Sequence, residues 1–356
     1  MRSKNVHLTL ICLLPIQIIA LNFFKNNPTW IETYYSTHLY PFIYQTHVFF
    51  FNNFYYPVGD LLYGFCVIMF PLLFFKLFRK KLSISSIFIS STSTFSLIFL
   101  VFNLNWGLNY YRLPLNKKMN LDLKYKKDEL INTLDYLIKS SNLLHNKLTD
   151  EKGEVVQVSY ESDQIIEIIC RDFNFFKSFK RRPFIKKSLW SNLLNYMGFA
   201  GYLNPFTLES NINLNIPKLN FIVTAAHEIA HQAGFASESE ANFIAFISSL
   251  KNSDPYIKYA GLTFALGYCY SELLKTDPVT AKKYMSLLNP GILESYKEIS
   301  RFWNQYKNPL EPIIKKSYDS YLKANGQSMG IESYDGMVGL VVGYLKKNNL
   351  IKYKFD

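Results

Sequence analysis

Between Lys4 and Lys25 the chain carries no Asp, Glu, Lys or Arg, and between Lys81 and Arg112 it again carries none. A helix that crosses a bilayer needs about 20 mostly apolar residues. The stretch LTLICLLPIQIIALNFF fits one, and the core of the second lies at about 84–105. A further candidate, LLYGFCVIMFPLLFFKLF, holds one charge, Lys76, near its end, where a long side chain can reach the interface. The sequence therefore predicts three spans, at about 6–24, 60–78 and 84–105. Pro15 and Pro71 fall inside spans, where kinks are tolerated. No small-x-small cleavage site precedes Lys25, so the first span reads as an uncleaved anchor.

Orientation follows Lys and Arg in the short flanks. Arg2 and Lys4 precede the first span, and Lys76, Arg79, Lys80 and Lys81 lie between the second and third. The loop after the first span holds a single Lys25. These counts put the N-terminus and the basic loop in the cytoplasm and the chain beyond the third span outside it. A membrane domain at 1–115 and an extracytoplasmic domain at 116–356 are expected, the latter periplasmic in a two-membrane bacterium.

Charged residues make up 19% of the chain and hydrophobic ones 49%, which excludes a disordered protein. Four Cys in 356 residues exclude a disulfide scaffold, although a Cys170–Cys269 pair stays open. The net charge is +12, but the Lys residues are scattered and no Arg-rich helix occurs. That pattern reads as a solvated face drawn to an anionic bilayer, with no nucleic-acid partner.

Beyond residue 115 the pattern is mainly helical. Leu130, Leu134, Leu137 and Ile138 have helical spacing within 126–148, and a second helix is expected near 160–180. Residues 183–207 read as irregular. Ile212, Leu214 and Ile216 alternate with Asn211, Asn213 and Asn215, which predicts a half-buried strand over 208–216, stopped by Pro217. From 220 onward the pattern is helical, broken at Gly234, Pro255, Pro278, Pro290, Pro309, Pro312 and Gly326–Gly330. His7, His38, His47 and His145 are isolated and read as surface or interfacial residues.

One motif carries chemistry. His227-Glu228-Ile229-Ala230-His231 is an HExxH. Residues i and i+4 of a helix share a face, so both imidazoles can meet one Zn2+. Glu228, beside His227, is the candidate general base for the water that zinc activates. Gly234 ends this helix, and Ser237-Glu238-Ser239-Glu240 has the spacing of a capping box that opens the next. The turn can bring Glu238 or Glu240 back as third ligand. Glu240 has a competing duty at the Ser237 N–H, so Glu238 is preferred and Glu240 is read as a supporting residue. Asn242 lies four residues after Glu238 and is placed to hold a ligating His. The third His of a metzincin would fall at Ser237. Tyr202, Arg301 and Tyr334 are the candidates for stabilising an oxyanion, with none singled out.

HExxH followed by Glu238-Ser239-Glu240-Ala241-Asn242 resembles the gluzincin class of zinc metallopeptidases, with Asn where Asp is more usual. Asn105 through Arg112, Gly201 through Thr207 and His227 through Phe243 resemble an uncharacterised bacterial family, common in Bacteroidota, of three-span proteins with one HExxH domain. The resemblance implies a membrane-anchored zinc metallopeptidase of the bacterial inner membrane. Its zincin-like domain would act on a peptide or protein substrate in the cell envelope. The competing reading is a non-catalytic membrane protein with a structural or sensing zinc site. A transporter is disfavoured because the spans carry no central charged pair. The strand before the HExxH helix is expected to lie at a sheet edge and to receive extended peptide.

Overall fold

A computed structural model describes residues 2–79, 83–173, 182–327 and 334–351, with backbone alone described at 2–4, 73–74, 76–78 and 334–335. The chain forms two compact units. The first comprises Met1–Leu113 with Asn204–Glu209, and the second Pro114–Leu203 with Ser210–Asp356. Helices dominate, and the described strands form one three-stranded sheet.

In the first unit, α1 (Arg2–Lys25) and the short α2 (Pro28–Trp30) lead into a π-helix (Ile31–Leu39). Then come α3 (Tyr40–Phe51), α4 (Val58–Arg79), α5 (Ile84–Asn105) and a 3-10 turn (Gly107–Tyr111). Small and polar residues let α1 and α5 approach: Gln17 Nε2 donates to Ser96 Oγ at 3.0 Å, and Ser96 Oγ to the Leu10 carbonyl at 2.6 Å. A buried two-pronged ion pair joins Arg112 to Glu32 of the π-helix, at 2.9 and 3.1 Å. The start of α4 is capped from far along the chain, because Glu209 accepts the Val58 and Gly59 N–H groups at 3.1 and 2.5 Å.

Among the described residues, two helices are long and apolar enough to cross a membrane, Asn5–Lys25 and Ile84–Asn105, rather than the three expected. The middle candidate is a helix, α4, but its described apolar run is only Val58–Leu72. Of the basic loop, Lys80 and Lys81 lie outside the described residues. The two qualifying segments are 0% and 17% buried, so neither is the core helix of a globular domain.

In the second unit, α6 (Leu115–Lys118) precedes α7 (Lys127–Leu148) and α8 (Ser162–Asp172). After β1 (Ile185–Lys187), α9 (Ser191–Met197), β2 (Gly201–Leu203) and β3 (Ser210–Ile212) come α10 (Lys218–Gln232) and α11 (Glu238–Lys251). The last helices are α12 (Pro255–Thr276), α13 (Pro278–Met285), α14 (Pro290–Asn304), α15 (Glu311–Ala324) and α16 (Tyr334–Lys347). The expected face of α7 is buried in a core shared with α11, α12 and α16. Pro255, Pro278 and Pro290 open helices rather than merely breaking one, since the first turn needs no N–H from them. Asp254 and Asp277 cap the first two of these helices through their carboxylates.

Three local expectations differ. Residues 183–207 are not all irregular, because two strands of three residues and a seven-residue helix lie there, too short to show a period. The strand over 208–216 shrinks to Ser210–Ile212 and is the middle of the sheet, parallel to β1 and antiparallel to β2. Two of its three Asn residues are not hydrated: Asn211 and Asn213 are buried, and Asn213 donates to Asn195 Oδ1 at 2.6 Å, while Asn215 is exposed. His145 is fully buried rather than superficial, bonded to the Glu154 carbonyl at 2.9 Å. Cys170 and Cys269 are both buried and free, in separate apolar clusters.

Candidate metal centre

The site is built by a helix, a tight turn and a second helix. α10 ends where the Phe235 N–H reaches back to the Ala230 carbonyl at 3.1 Å, and the Gly234 N–H to the His231 carbonyl at 2.8 Å. Closing that turn requires a left-handed residue, and Gly234 has φ 81°. Ala226, Ala230, Ala241 and Ala245 are all buried, so α10 and α11 pack closely with little side-chain bulk.

This packing brings His227, His231 and Glu238 together, with one ligand atom from each within 4.8 Å of the others. His227 Nε2 lies 3.3 Å from Glu238 Oε2, and His231 Nε2 lies 3.6 Å from Oε1. The outer nitrogens are held from behind. His227 Nδ1 is 2.7 Å from Asn242 Oδ1, and His231 Nδ1 is 2.7 Å from the Phe235 carbonyl. Each acceptor draws the ring proton to Nδ1 and leaves Nε2 with a lone pair for a cation. Asn242 is itself oriented, since its amide donates to the Tyr268 hydroxyl at 3.4 Å.

Glu240 is not part of this group. Its carboxylate accepts the Leu115 N–H at 2.6 Å. Ser237 makes no side-chain cap bond either, and its hydroxyl pairs with Ser239 at 3.0 Å. The local spacing fits a capping box, but the start of α6, remote in sequence, competes for the same carboxylate.

Glu228 points elsewhere on α10, toward the sheet. It is 4% exposed, and its Oε2 has no hydrogen-bond partner among the described residues. A Cβ added at Gly201 of β2 would lie 3.0 Å from Glu228 Cγ and 2.9 Å from Thr224 Cγ2. The absence of a side chain there lets the edge strand lie against the candidate base.

Electrostatics fit a cation site. Burial opposes charge on His231, but the Glu238 carboxylate beside it prevails and its pKa is pushed up to about 9. Burial likewise opposes charge on Glu238, and the His231 and His227 imidazoles override it, holding the carboxyl well below its usual range. Glu228 is raised, chiefly by burial. The carboxylate that attracts a proton to His231 is the group that would attract a metal in its place.

Of the oxyanion candidates, Arg301 is mostly exposed and pairs with Glu294 of its own helix. Tyr202 is half-buried on β2, and the Tyr334 side chain lies outside the described residues. Sequence reasoning missed Tyr318 of α15, whose hydroxyl donates to Glu238 Oε1 at 2.7 Å. It lies 80 residues beyond Glu238, and no local spacing marks it.

Residues 35–342 match the family described as Protein of unknown function (DUF3810). The chain belongs to that family. The DUF3810 match takes in the HExxH helix, α11 and α15, so every residue of the site lies inside it. No curated protein and no solved structure matches the chain.

Proposed function

We propose that this protein is a membrane-anchored, zinc-dependent metallopeptidase. The observation that carries the reading is the convergence of His227, His231 and Glu238, with the buried Glu228 on the same helix feeling the charge of all three and its Oε2 unpartnered among the described residues. Two imidazole nitrogens and one carboxylate oxygen are a donor set that suits zinc with a position left open, whereas calcium and magnesium prefer oxygen throughout. A structural site would have no use for a second, buried carboxylate whose Oε2 has no partner among the described residues. Zinc bound there supplies a Lewis acid that makes water acidic near neutral pH.

The chain's own residues would do the rest. Glu228 accepts the proton of the attacking water and returns it to the departing amine. Asn242 and the Phe235 carbonyl keep the imidazoles aimed. The sheet edge beside Glu228 is β2, not β3. The Asn213 N–H bonds to the Ala200 carbonyl, so by ladder alternation Gly201 and Leu203 turn their backbone groups outward. An extended peptide adding to that edge would pass next to the base.

The test uses the full chain in detergent. About one zinc per chain is expected, with cleavage of a mixed peptide library that stops on chelation and returns with zinc. Absence of zinc together with absence of cleavage overturns the reading, and stoichiometric zinc without cleavage points to the non-catalytic alternative.

Anchoring rests on exposed apolar surface. α1 and α5 show Ile16, Ile19 and Phe88 outward, and α4 does the same with Val67, Ile68 and Phe70. Such surface is stable against hydrocarbon rather than water. At about 1.5 Å per residue, the 22 residues of α4 are long enough to serve as a third crossing. With three crossings, the basic flanks leave the second unit outside the cytoplasm. A C-terminal alkaline phosphatase fusion is then expected to be active in bacteria, and an inactive, stably made fusion would refute this orientation.

A further inference from the structure

Tyr318 reaches the Glu238 carboxylate from a helix other than α10 and α11. It sits on α15, a helix whose only fully buried described residue is Leu322. Its ring is nevertheless turned inward, edge-on to Phe199 at 5.5 Å and stacked on Tyr321 at 6.1 Å. Asn308 fixes the start of α15: its amide donates to the Tyr196 carbonyl of α9 at 2.7 Å, and its oxygen accepts the Leu310 and Glu311 N–H groups. The helix is thus pinned at one end, and its Tyr318 hydroxyl meets Glu238 Oε1 at 2.7 Å.

We infer that Tyr318 is a positioning residue, which orients the Glu238 carboxylate as third metal ligand. The inference rests on the metal-centre reading above. Glu238 starts α11 and has two oxygens and free side-chain torsions, so helix geometry alone does not decide that Oε2 faces His227 and Oε1 faces His231. A hydroxyl fixed on Oε1 sets the carboxylate plane and leaves Oε2 toward His227, 3.3 Å away. Outer partners of this kind hold ligands in place and strengthen metal binding. The bland alternative is that Tyr318 only fills space between α9 and α11. Phenylalanine would serve equally well in that case.

The experiment compares full-length wild type, Tyr318→Phe and Tyr321→Phe in detergent, with zinc alone and a chromophoric chelator as competitor. Tyr318→Phe is expected to weaken zinc binding by about 10- to 100-fold, while Tyr321→Phe, which loses a hydroxyl from the same stack, leaves it unchanged. With cobalt in place of zinc, the visible ligand-field bands of Tyr318→Phe are expected to shift, because the carboxylate oxygen moves. The thermal midpoint of the metal-free protein should stay at the wild-type value, since ring packing is kept. Wild-type affinity and spectrum in Tyr318→Phe overturn the role, as does a lowered midpoint with an unchanged spectrum. If wild type itself takes up neither metal, the metal centre fails, and that result is distinct from failure of Tyr318 alone.

Discussion

His231→Ala is expected to purify with negligible zinc. The imidazole is 6% exposed, its Nδ1 is committed to the Phe235 carbonyl, and its Nε2 faces Glu238. Removing it takes away one of the three proposed protein ligands. The loss should exceed the ~10–100-fold cost of deleting a supporting partner. The fold should survive, because α10 keeps its Ala-rich contact with α11 and the truncated residue becomes the best helix former. Metal analysis against wild type, with far-ultraviolet circular dichroism as a folding control, reads the result. Equal zinc in both proteins would sink the assignment.

Glu228→Gln should separate binding from chemistry. The amide keeps the shape of the carboxylate, and Glu228 is not in the ligand group, so zinc content is expected to match wild type. Turnover should fall by about 10²–10⁴-fold, the usual contribution of a positioned general base. Burial supports a role in proton transfer, since it raises the affinity of the Glu228 carboxylate for a proton. Its unpartnered oxygen is open to receive one. A variant that cleaves peptides at the wild-type rate would show that Glu228 is not the base. One that loses zinc would mean that Glu228 acts in binding.

Much of the geometry of the His227, His231 and Glu238 cluster was legible because it is local. His227 and His231 share a helix face by spacing alone, and Gly234 marks the left-handed turn that returns the chain. Glu238 is seven residues beyond His231, close enough for one turn to bring it back. Glu240 shows where local reasoning stops. Its spacing from Ser237 suits a cap, but Leu115, 125 positions away in sequence, takes the carboxylate. The strand at 208–216 failed for the same reason, since alternation of apolar and polar residues does not reveal whether Asn side chains meet water or buried amides such as Asn195.

The apolar N-terminal third, the helical character of the rest, the HExxH pair and the turn that follows it can all be read from residue order. These depend on neighbours within about two helical turns, where backbone geometry alone sets direction. Long-range packing sets Gly201 against Glu228, puts β3 at the centre of its sheet and brings Tyr318 to Glu238. Each of those contacts joins segments with no fixed spacing, so packing and competition for hydrogen bonds choose the partners.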